Sequence, residues 1–336
     1  MVIFYLPLKK MPDCIVIGGG VIGMMTAREL TLKGLEVTLL EKGTCGKESS
    51  WAGGGIISPL YPWEYSDEVN NFSFASQEVY EGLCHELLDS TGIDPEFYRC
   101  GLLMLDQFEQ DNAKTWLKKY QVSYQDIDDK ALFENIAQIR NPRLVKALKK
   151  DIELRGVKVI ENANVSDLLI DADAIKGVKY NEVSLHSENV VLSAGAWSGE
   201  FSQTPKEVFP MKGQMIVIQA KPKEVEHIIL GEGRYIIPRL DGNVVVGSTM
   251  QEVGFDRSTE DIIRDELYDF AIKYQPQLSK YPVKYHWSGF RPATRDNEVI
   301  VKKSDEIEGL YFNTGHFRNG LNMAPACAKK IANLIQ

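Results

Sequence analysis

Three glycines and a glutamate near the N-terminus have the spacing of a phosphate-binding turn. Gly18, Gly20 and Gly23 form G-x-G-x-x-G directly after an apolar stretch, and Glu41 ends the next one. The first glycine permits a tight turn, the second lets a pyrophosphate approach the backbone, and the third lets a helix pack closely on a strand. A carboxylate at Glu41 can hold ribose hydroxyls. The motif predicts dinucleotide binding and suits both NAD and FAD; the alternative is a glycine turn in an unrelated strand–helix unit.

A second glycine-rich stretch, GKESSWAGGGIISPL, follows immediately and bears on which dinucleotide binds. Ser49 and Ser50 can donate hydroxyls to phosphate or ribitol oxygens. The glycines at 53–55 let the backbone pass a bulky planar ring. Because a nicotinamide site does not need a second glycine run so close to the first, this stretch favours a flavin.

Two stretches near the C-terminus contain residues that can bind anions. Arg291 in GFRPATRD follows an apolar strand, and a rigid guanidinium there can grip a carboxylate with two parallel hydrogen bonds; a surface salt bridge is the alternative. His316 and Arg318 in GHFRNG stand at the start of the last predicted helix, where unpaired N–H groups and a partial positive charge attract anions. The alternative for His316 is a packed structural histidine.

The elements that must position these residues are Rossmann-like units with antiparallel strands inserted between them. DCIVIGGGVIGMMTARELTLKGLEVTLLEKG predicts the strand, turn, helix and strand that open the fold. The stretch RYIIPRLDGNVVVGSTM predicts a hairpin across Asp241 and Gly242, and a charged helix is predicted near 259–274. Because Rossmann-like elements recur at the beginning, middle and end, we expect domains that are discontinuous in sequence.

Composition limits the class of protein. With 336 residues and 44% apolar content, the chain can bury a large core in one large domain or two intertwined ones. The net charge of −9, without a basic stripe, argues against nucleic-acid binding. No stretch approaches the roughly 20 apolar residues of a transmembrane helix. Residues 1–10 are interpreted as an N-terminal tail, with Met11 a candidate natural start.

The cysteines indicate the compartment. There are five, an odd number, and no two form a C-x-x-C pair, so neither a disulfide framework nor a zinc cluster is indicated. A reducing cytoplasm is the simplest location. We find no other set of residues with metal-ligand spacing and expect no metal.

Five stretches are informative when taken together. They are IGGGVIG, ESSWAGGGIISPLYPW, YIIPR with VVGSTM, GFRPATRD and GHFRNGLNMAP. In this order they resemble the glycine oxidases of thiamine biosynthesis, within the D-amino-acid oxidase group of flavoenzymes. The resemblance covers nearly the whole chain from about residue 13. It implies a homo-oligomeric enzyme with noncovalent FAD that acts on a small amino acid with oxygen.

The fold implied by the resemblance is α/β, a GR2-type Rossmann-like FAD-binding domain with an inserted α+β substrate domain whose antiparallel sheet covers the flavin. We assign residues 11–85, 140–205 and 285–336 to the FAD-binding domain and residues 86–139 and 206–284 to the substrate-binding domain. The expected cofactor residues are Gly18, Gly20, Val21, Ile22, Gly23, Glu41, Lys42, Ser49, Ser50, Gly54, Gly55, Ile56, Val165, Gly195, Trp197, His316, Phe317, Arg318, Asn319, Gly320, Leu321 and Asn322.

The resemblance also implies how a substrate is held. It puts the carboxylate-binding arginine at Arg291 and a second carboxylate donor at the hydroxyl of Tyr235. Met250 would form an apolar wall against the substrate. The backbone carbonyl of Arg318 would receive the substrate amine, while its guanidinium helps to shape the pocket.

The substrate itself stays open. Gly233 and Ile56 stand where the best-known glycine oxidase has histidine and methionine, so glycine, sarcosine, small D-amino acids and cyclic imino acids are all candidates. The expected reaction is hydride transfer from the substrate Cα to flavin N5, giving an imine or glyoxylate, ammonia and hydrogen peroxide, with the imine available for thiazole assembly. One alternative is a D-amino-acid or sarcosine dehydrogenase that passes electrons to a quinone or carrier. A dinucleotide-binding sensor is another, against which Arg291 and Tyr235 argue.

Overall fold

A computed structural model describes residues 11–106 and 111–335, so the predicted tail at 1–10 lies outside the described residues. The strands are β1 (Cys14–Ile17), β2 (Val37–Leu40), β3 (Tyr98–Arg99), β4 (Leu102–Met104), β5 (Gln125–Ile127), β6 (Lys130–Phe133), β7 (Ala137–Gln138), β8 (Lys158–Ile160), β9 (Val165–Asp171), β10 (Ala174–Tyr180), β11 (Val183–His186), β12 (Val190–Leu192), β13 (Phe209–Gln219), β14 (Ile228–Gly231), β15 (Arg234–Pro238), β16 (Asn243–Gly247), β17 (Val283–Ala293), β18 (Ile300–Lys303) and β19 (Leu310–Thr314). The helices are α1 (Val21–Leu32), α2 (Ser49–Ala52), α3 (Asp67–Thr91), α4 (Asp111–Tyr120), α5 (Asn141–Leu154), α6 (Asp261–Tyr274) and α7 (Gly320–Leu334).

A six-stranded sheet in the order β18-β19-β12-β1-β2-β8 forms the first layer, parallel except for β18. One face packs on α1, α3, α5 and α7, and the other packs on a three-stranded antiparallel sheet of β9, β10 and β11. The stretches CIVI and VTLL are buried throughout because both faces of the sheet are covered. The predicted opening strand, helix and strand are confirmed as β1, α1 and β2.

The second large sheet has eight strands in the order β17-β13-β16-β15-β14-β4-β6-β5, all antiparallel neighbours except β14 and β4. Strands β15 and β16 pair as the hairpin predicted across Asp241 and Gly242. The charged helix predicted near 259–274 is α6, whose apolar residues pack on one face of this sheet. The opposite face carries Met215, Tyr235 and Ile237.

The mixed α/β architecture, with a parallel sheet and a separate antiparallel sheet, is as predicted. The domain boundaries stay a prediction. Strand β17 spans the boundary predicted at residue 285, and its whole length from 283 to 293 pairs with β13 in the eight-stranded sheet. Among the residues described, no helix combines the length and apolarity needed to cross a lipid bilayer.

Candidate active site

The glycine turn between β1 and α1 is shaped by close backbone contacts. Gly18 has φ +106°, and a Cβ there would lie 2.3 Å from the carbonyl oxygen of Ser193. A Cβ at Gly23 would lie 1.8 Å from the carbonyl oxygen of Gly18. At Gly20, by contrast, a Cβ would meet only the Ser50 hydroxyl, at 3.2 Å. The first and third glycines are therefore required by the fold, whereas Gly20 leaves the start of α1 open.

Residues on β2 and α2 complete this end of the site. Glu41 is 8% exposed, and its carboxylate accepts hydrogen bonds from the N–H groups of Gly19 at 2.7 Å and Gly43 at 2.8 Å. The Ser50 hydroxyl accepts the N–H of Val21 at 2.8 Å, which satisfies one of the unpaired donors at the start of α1. The Ser49 hydroxyl donates to the carbonyl of Phe290, so its proton is already engaged inside the protein.

A single cavity is lined both by this turn and by residues of the eight-stranded sheet. Most of the predicted site residues line it: Gly18, Gly20, Val21, Ile22, Glu41, Lys42, Ser49, Ser50, Gly54, Gly55, Ile56, Val165, Gly195, Trp197, Tyr235, Arg291, His316, Phe317, Arg318, Gly320 and Leu321. Four do not line it, namely Gly23, Met250, Asn319 and Asn322. Met250 is 57% exposed, so the structure does not support its prediction as an apolar wall against the substrate.

Among the residues described, four buried polar atoms in the cavity wall have no hydrogen-bond partner. They are Oδ1 of Asn141, Oγ of Ser193, Oδ1 of Asn313 and Nε2 of His316. Buried polar groups in native proteins are almost always paired, so these atoms indicate a bound molecule rich in hydrogen-bonding groups. A turn open to phosphate and a wall of unpaired polar atoms fit a flavin dinucleotide.

The family of this chain follows from its similarity to known proteins. The model for the family described as FAD dependent oxidoreductase matches residues 13–334. The chain belongs to this family of FAD-dependent oxidoreductases. FAD is accordingly its cofactor, and the cavity is where it would bind.

Individual relatives agree with the family assignment. A glycine oxidase of Pseudomonas aeruginosa is 38% identical, with 96% of this chain and 94% of the relative covered. A protein of Nostoc sp. described as bifunctional ThiO/ThiG is 31% identical over 96% of this chain and 52% of its own length. Among solved structures, glycine oxidase from Geobacillus kaustophilus superposes with a TM-score of 0.90 at 24% identity, covering 97% of this chain and 94% of that one.

At the far end of the cavity of this FAD-dependent oxidoreductase, Arg291 is held by the β16 segment. One terminal nitrogen donates to the Ser248 hydroxyl at 2.6 Å and the other to the Thr249 carbonyl at 3.1 Å. A Cβ at Gly213 on β13 would lie 2.3 and 2.4 Å from these nitrogens, so only glycine there leaves room for the guanidinium. Burial lowers the pKa of Arg291, and the charge of Arg318 lowers it further. Two arginines in one cavity favour an anionic ligand.

Tyr235 on β15 lies beside this arginine. Its hydroxyl donates to the same Ser248 oxygen at 3.2 Å, and its side chain is 7% exposed. Ser248 therefore joins the two groups that the resemblance assigned to one carboxylate. Ser248 lies in the quoted stretch VVGSTM, but neither Ser248 nor Gly213 was predicted as a site residue, because both reach Arg291 only once distant strands of the eight-stranded sheet are assembled.

Arg318 lies close enough to two tyrosines for its charge to act on them. Within the described part of the chain its guanidinium has no ion-pair or hydrogen-bond partner, and its charge acts on Tyr61 and Tyr65. The Tyr61 hydroxyl donates to the Asp106 carboxylate and accepts the N–H of Gly233 at 3.1 Å. Tyr61 thus contacts the position where the resemblance led us to expect a histidine.

His316 precedes the last helix and is 2% exposed. Burial lowers its pKa to about 3, so the imidazole is neutral at neutral pH. Its Nε2 has no hydrogen-bond partner among the described residues, and the residue lines the cavity. These properties are those of a packed histidine beside the cofactor.

We expect His316→Gln to reduce the acid sensitivity of the protein. The pKa of His316 is about 3 in the folded protein, against 6.5 for an ordinary histidine, so between these pH values the native state binds fewer protons than the unfolded state. The stability it contributes is complete above pH 6.5 and is lost as the pH falls towards 3. Unfolding temperature measured against pH should therefore fall less steeply in the variant. The exposed His186→Gln is the control, and superimposable profiles for wild type and His316→Gln would contradict the expectation.

Proposed function

We propose that this protein is a glycine oxidase that uses FAD and oxygen. The observation that carries the proposal is the cationic end of the cavity. Arg291 and Arg318 open into it with no ion-pair partner among residues 11–106 and 111–335, and Tyr235 adds a hydroxyl beside Arg291. Relatives described as glycine oxidases match almost the full chain, which supports the same activity.

The role of the protein side chains in the proposed reaction is to orient the substrate. A guanidinium carries five N–H donors, and Arg291 uses two of them on Ser248 and Thr249, which leaves donors for a carboxylate. In the proposed arrangement the free donors of Arg291 hold the substrate carboxylate, and the Tyr235 hydroxyl turns from Ser248 to donate to the same carboxylate. The backbone carbonyl of Arg318 accepts a hydrogen bond from the substrate amine. Holding both ends of a small amino acid presents its Cα–H in a fixed direction.

The chemistry is oxidation of a C–N bond. FAD, when bound, supplies a hydride acceptor for the substrate Cα and passes the two electrons to oxygen. Glycine, oxygen and water then give glyoxylate, ammonia and hydrogen peroxide. A substrate that enters with a neutral amine needs no general base, and the neutral His316 is not required to move a proton. If the imine leaves before hydrolysis it is available for thiazole assembly, which the match to a ThiO/ThiG protein supports.

The test is an oxygen electrode with a peroxide assay and a panel of glycine, sarcosine, small D-amino acids and proline. With glycine as substrate, we expect the enzyme to consume oxygen and to release one molecule of hydrogen peroxide for each molecule of oxygen consumed. Turnover seen only with an artificial electron acceptor would instead support the dehydrogenase alternative. No turnover with any amine would overturn the proposal in favour of a sensing role.

We expect the FAD to be noncovalent. All five cysteines are buried and unpaired, and none lines the cavity, so no thiol is placed to attach a flavin. Acid precipitation should release the yellow colour into the supernatant. Flavin that stays with the pellet would contradict this expectation.

The location and assembly are also proposals. Five free cysteines are compatible with a reducing compartment, which supports the cytoplasm. A homo-oligomer stays a prediction from the resemblance, and light scattering on the purified protein measures it directly.

A further inference from the structure

Arg239, the residue after β15, is a buried cation without a counterion in contact. It is 8% exposed, and its terminal nitrogens donate to the Gln138 side-chain oxygen at 2.6 Å, the Ile139 carbonyl at 3.1 Å and the Gly54 carbonyl at 2.8 Å. No carboxylate in the described ranges lies within 4.0 Å of it. Burial lowers its pKa to about 10. Removing a charge from water without a paired carboxylate is costly, which makes its position informative.

The segment that Arg239 contacts is the second glycine run. Residues 53–55 line the cofactor cavity, whereas Arg239 does not. A Cβ at Gly54 would lie 2.7 Å from Ile237 and 3.2 Å from the ring of Tyr235. Tyr235 and Ile237 on β15 and Arg239 just after it occupy alternate positions, so their side chains share one face. All three lie next to Gly54. The strand that carries the proposed carboxylate donor therefore also fixes the cofactor loop.

The peptide between Gly54 and Gly55 then has a defined orientation. In a trans peptide the C=O and the N–H point in opposite directions. The Gly54 carbonyl accepts from Arg239, which does not line the cavity, so the Gly55 N–H points away from Arg239, and Gly55 itself lines the cavity. Within the described chain this N–H has no acceptor, while the Gly55 carbonyl accepts the N–H of Ile139 at 2.8 Å.

We propose that Arg239 is a positioning residue for FAD: by holding the Gly54 carbonyl it presents the Gly55 N–H to the cavity as a donor for an acceptor atom of the cofactor. Glycine at 55 is required because its φ is +79° and a Cβ would lie 2.0 Å from the Ile139 carbonyl oxygen. Any side chain at residue 55 would displace the backbone at Ile139 and with it this orientation of the N–H. The proposal deepens the FAD-dependent function proposed above, but does not depend on which amine is oxidised.

The experiment compares Arg239→Met, Arg239→Lys and a control, Arg28→Met. Arg28 is also buried, at 4% exposed, but pairs with Asp151 and Glu86 away from the cavity. The apoprotein of each variant is titrated with FAD, and binding is followed by flavin fluorescence. The visible circular dichroism of the bound flavin and the unfolding temperature are also measured. No substrate is present in any of these measurements.

We expect Arg239→Met to raise the Kd for FAD by about tenfold or more and to alter the flavin dichroism, since a hydrogen bond from a charged donor is lost. Arg239→Lys should lie between wild type and Arg239→Met. Arg28→Met should lower the unfolding temperature while FAD affinity stays within about twofold. If Arg239→Met is insoluble, an increase of about threefold or more in Arg239→Lys supports the proposal, and an unchanged Kd overturns it.

Two outcomes separate this proposal from the proposed function. FAD affinity and dichroism unchanged in Arg239→Met, with only a lower unfolding temperature as in Arg28→Met, would reduce Arg239 to a structural residue even if glycine is oxidised. Weakened FAD binding in Arg239→Met, in a protein that oxidises no amine, would support Arg239 as a positioning residue and overturn the glycine oxidase proposal.

Discussion

Arg291→Leu is expected to lower kcat/KM for glycine by about 30-fold to several thousand-fold, with FAD content unchanged. In the proposed arrangement the variant leaves the substrate carboxylate without its charged partner in a partly dehydrated cavity. Losing one partner of a buried, charged hydrogen-bonded pair costs roughly 2–5 kcal/mol, and each 1.36 kcal/mol is a factor of ten. FAD should stay bound because the hydrogen bonds of Arg291 go to Ser248 and Thr249, and not to the glycine turn between β1 and α1 that is predicted to hold the phosphates. Steady-state oxygen consumption and the flavin spectrum measure both parts.

Two further substitutions test whether the guanidinium itself matters. Arg291→Lys should recover only part of the loss, since an ammonium cannot make two parallel bonds to a carboxylate. Arg295→Leu is the matched control, because Arg295 is exposed and paired with Glu207 and Glu252. Its activity should stay within about twofold of wild type, as expected for surface ion pairs. Arg291→Leu with kcat/KM within about threefold of wild type would show that the carboxylate binds elsewhere, with Arg318 the next candidate.

Gly20→Val should fold but lose affinity for FAD. A Cβ at Gly20 meets only the Ser50 hydroxyl, at 3.2 Å, so the apoprotein tolerates it. The valine methyl groups then occupy the space by which a pyrophosphate reaches the start of α1. Overpacking of about 1–3 kcal/mol corresponds to roughly one to two orders of magnitude in Kd. Fluorescence titration of apoprotein with FAD measures the loss.

Gly23→Val is the contrasting variant. Its Cβ would lie 1.8 Å from the Gly18 carbonyl, so we expect a misfolded or aggregated protein rather than a folded apoprotein. Circular dichroism and the unfolding temperature distinguish the two results. A Gly20→Val protein that purifies with full FAD content would contradict the assignment of this turn to the cofactor.

Local features of the sequence determined the cofactor end of the site. The glycine turn, its strand and its helix lie within a stretch of about 30 residues, and the hairpin at Asp241 and Gly242 is equally local. Such signals depend on backbone conformation and periodicity over a few residues, which sequence expresses directly. The stretch GFRPATRD already indicated Arg291; the resemblance assigned it the substrate carboxylate and added Tyr235, and both residues line the cavity.

Only the tertiary structure decided the contacts that couple the two ends. Gly213 makes room for Arg291 through the pairing of β13 with β17, and Ser49 donates to Phe290, 241 residues further along the chain. Arg239 reaches Gly54 across 185 residues. Met250 directly follows the segment that holds Arg291, yet its side chain is exposed. Residue types and their local spacing do not predict these contacts or the exposure of Met250. Which side chains meet depends on strand register and on sheet packing between distant parts of the chain.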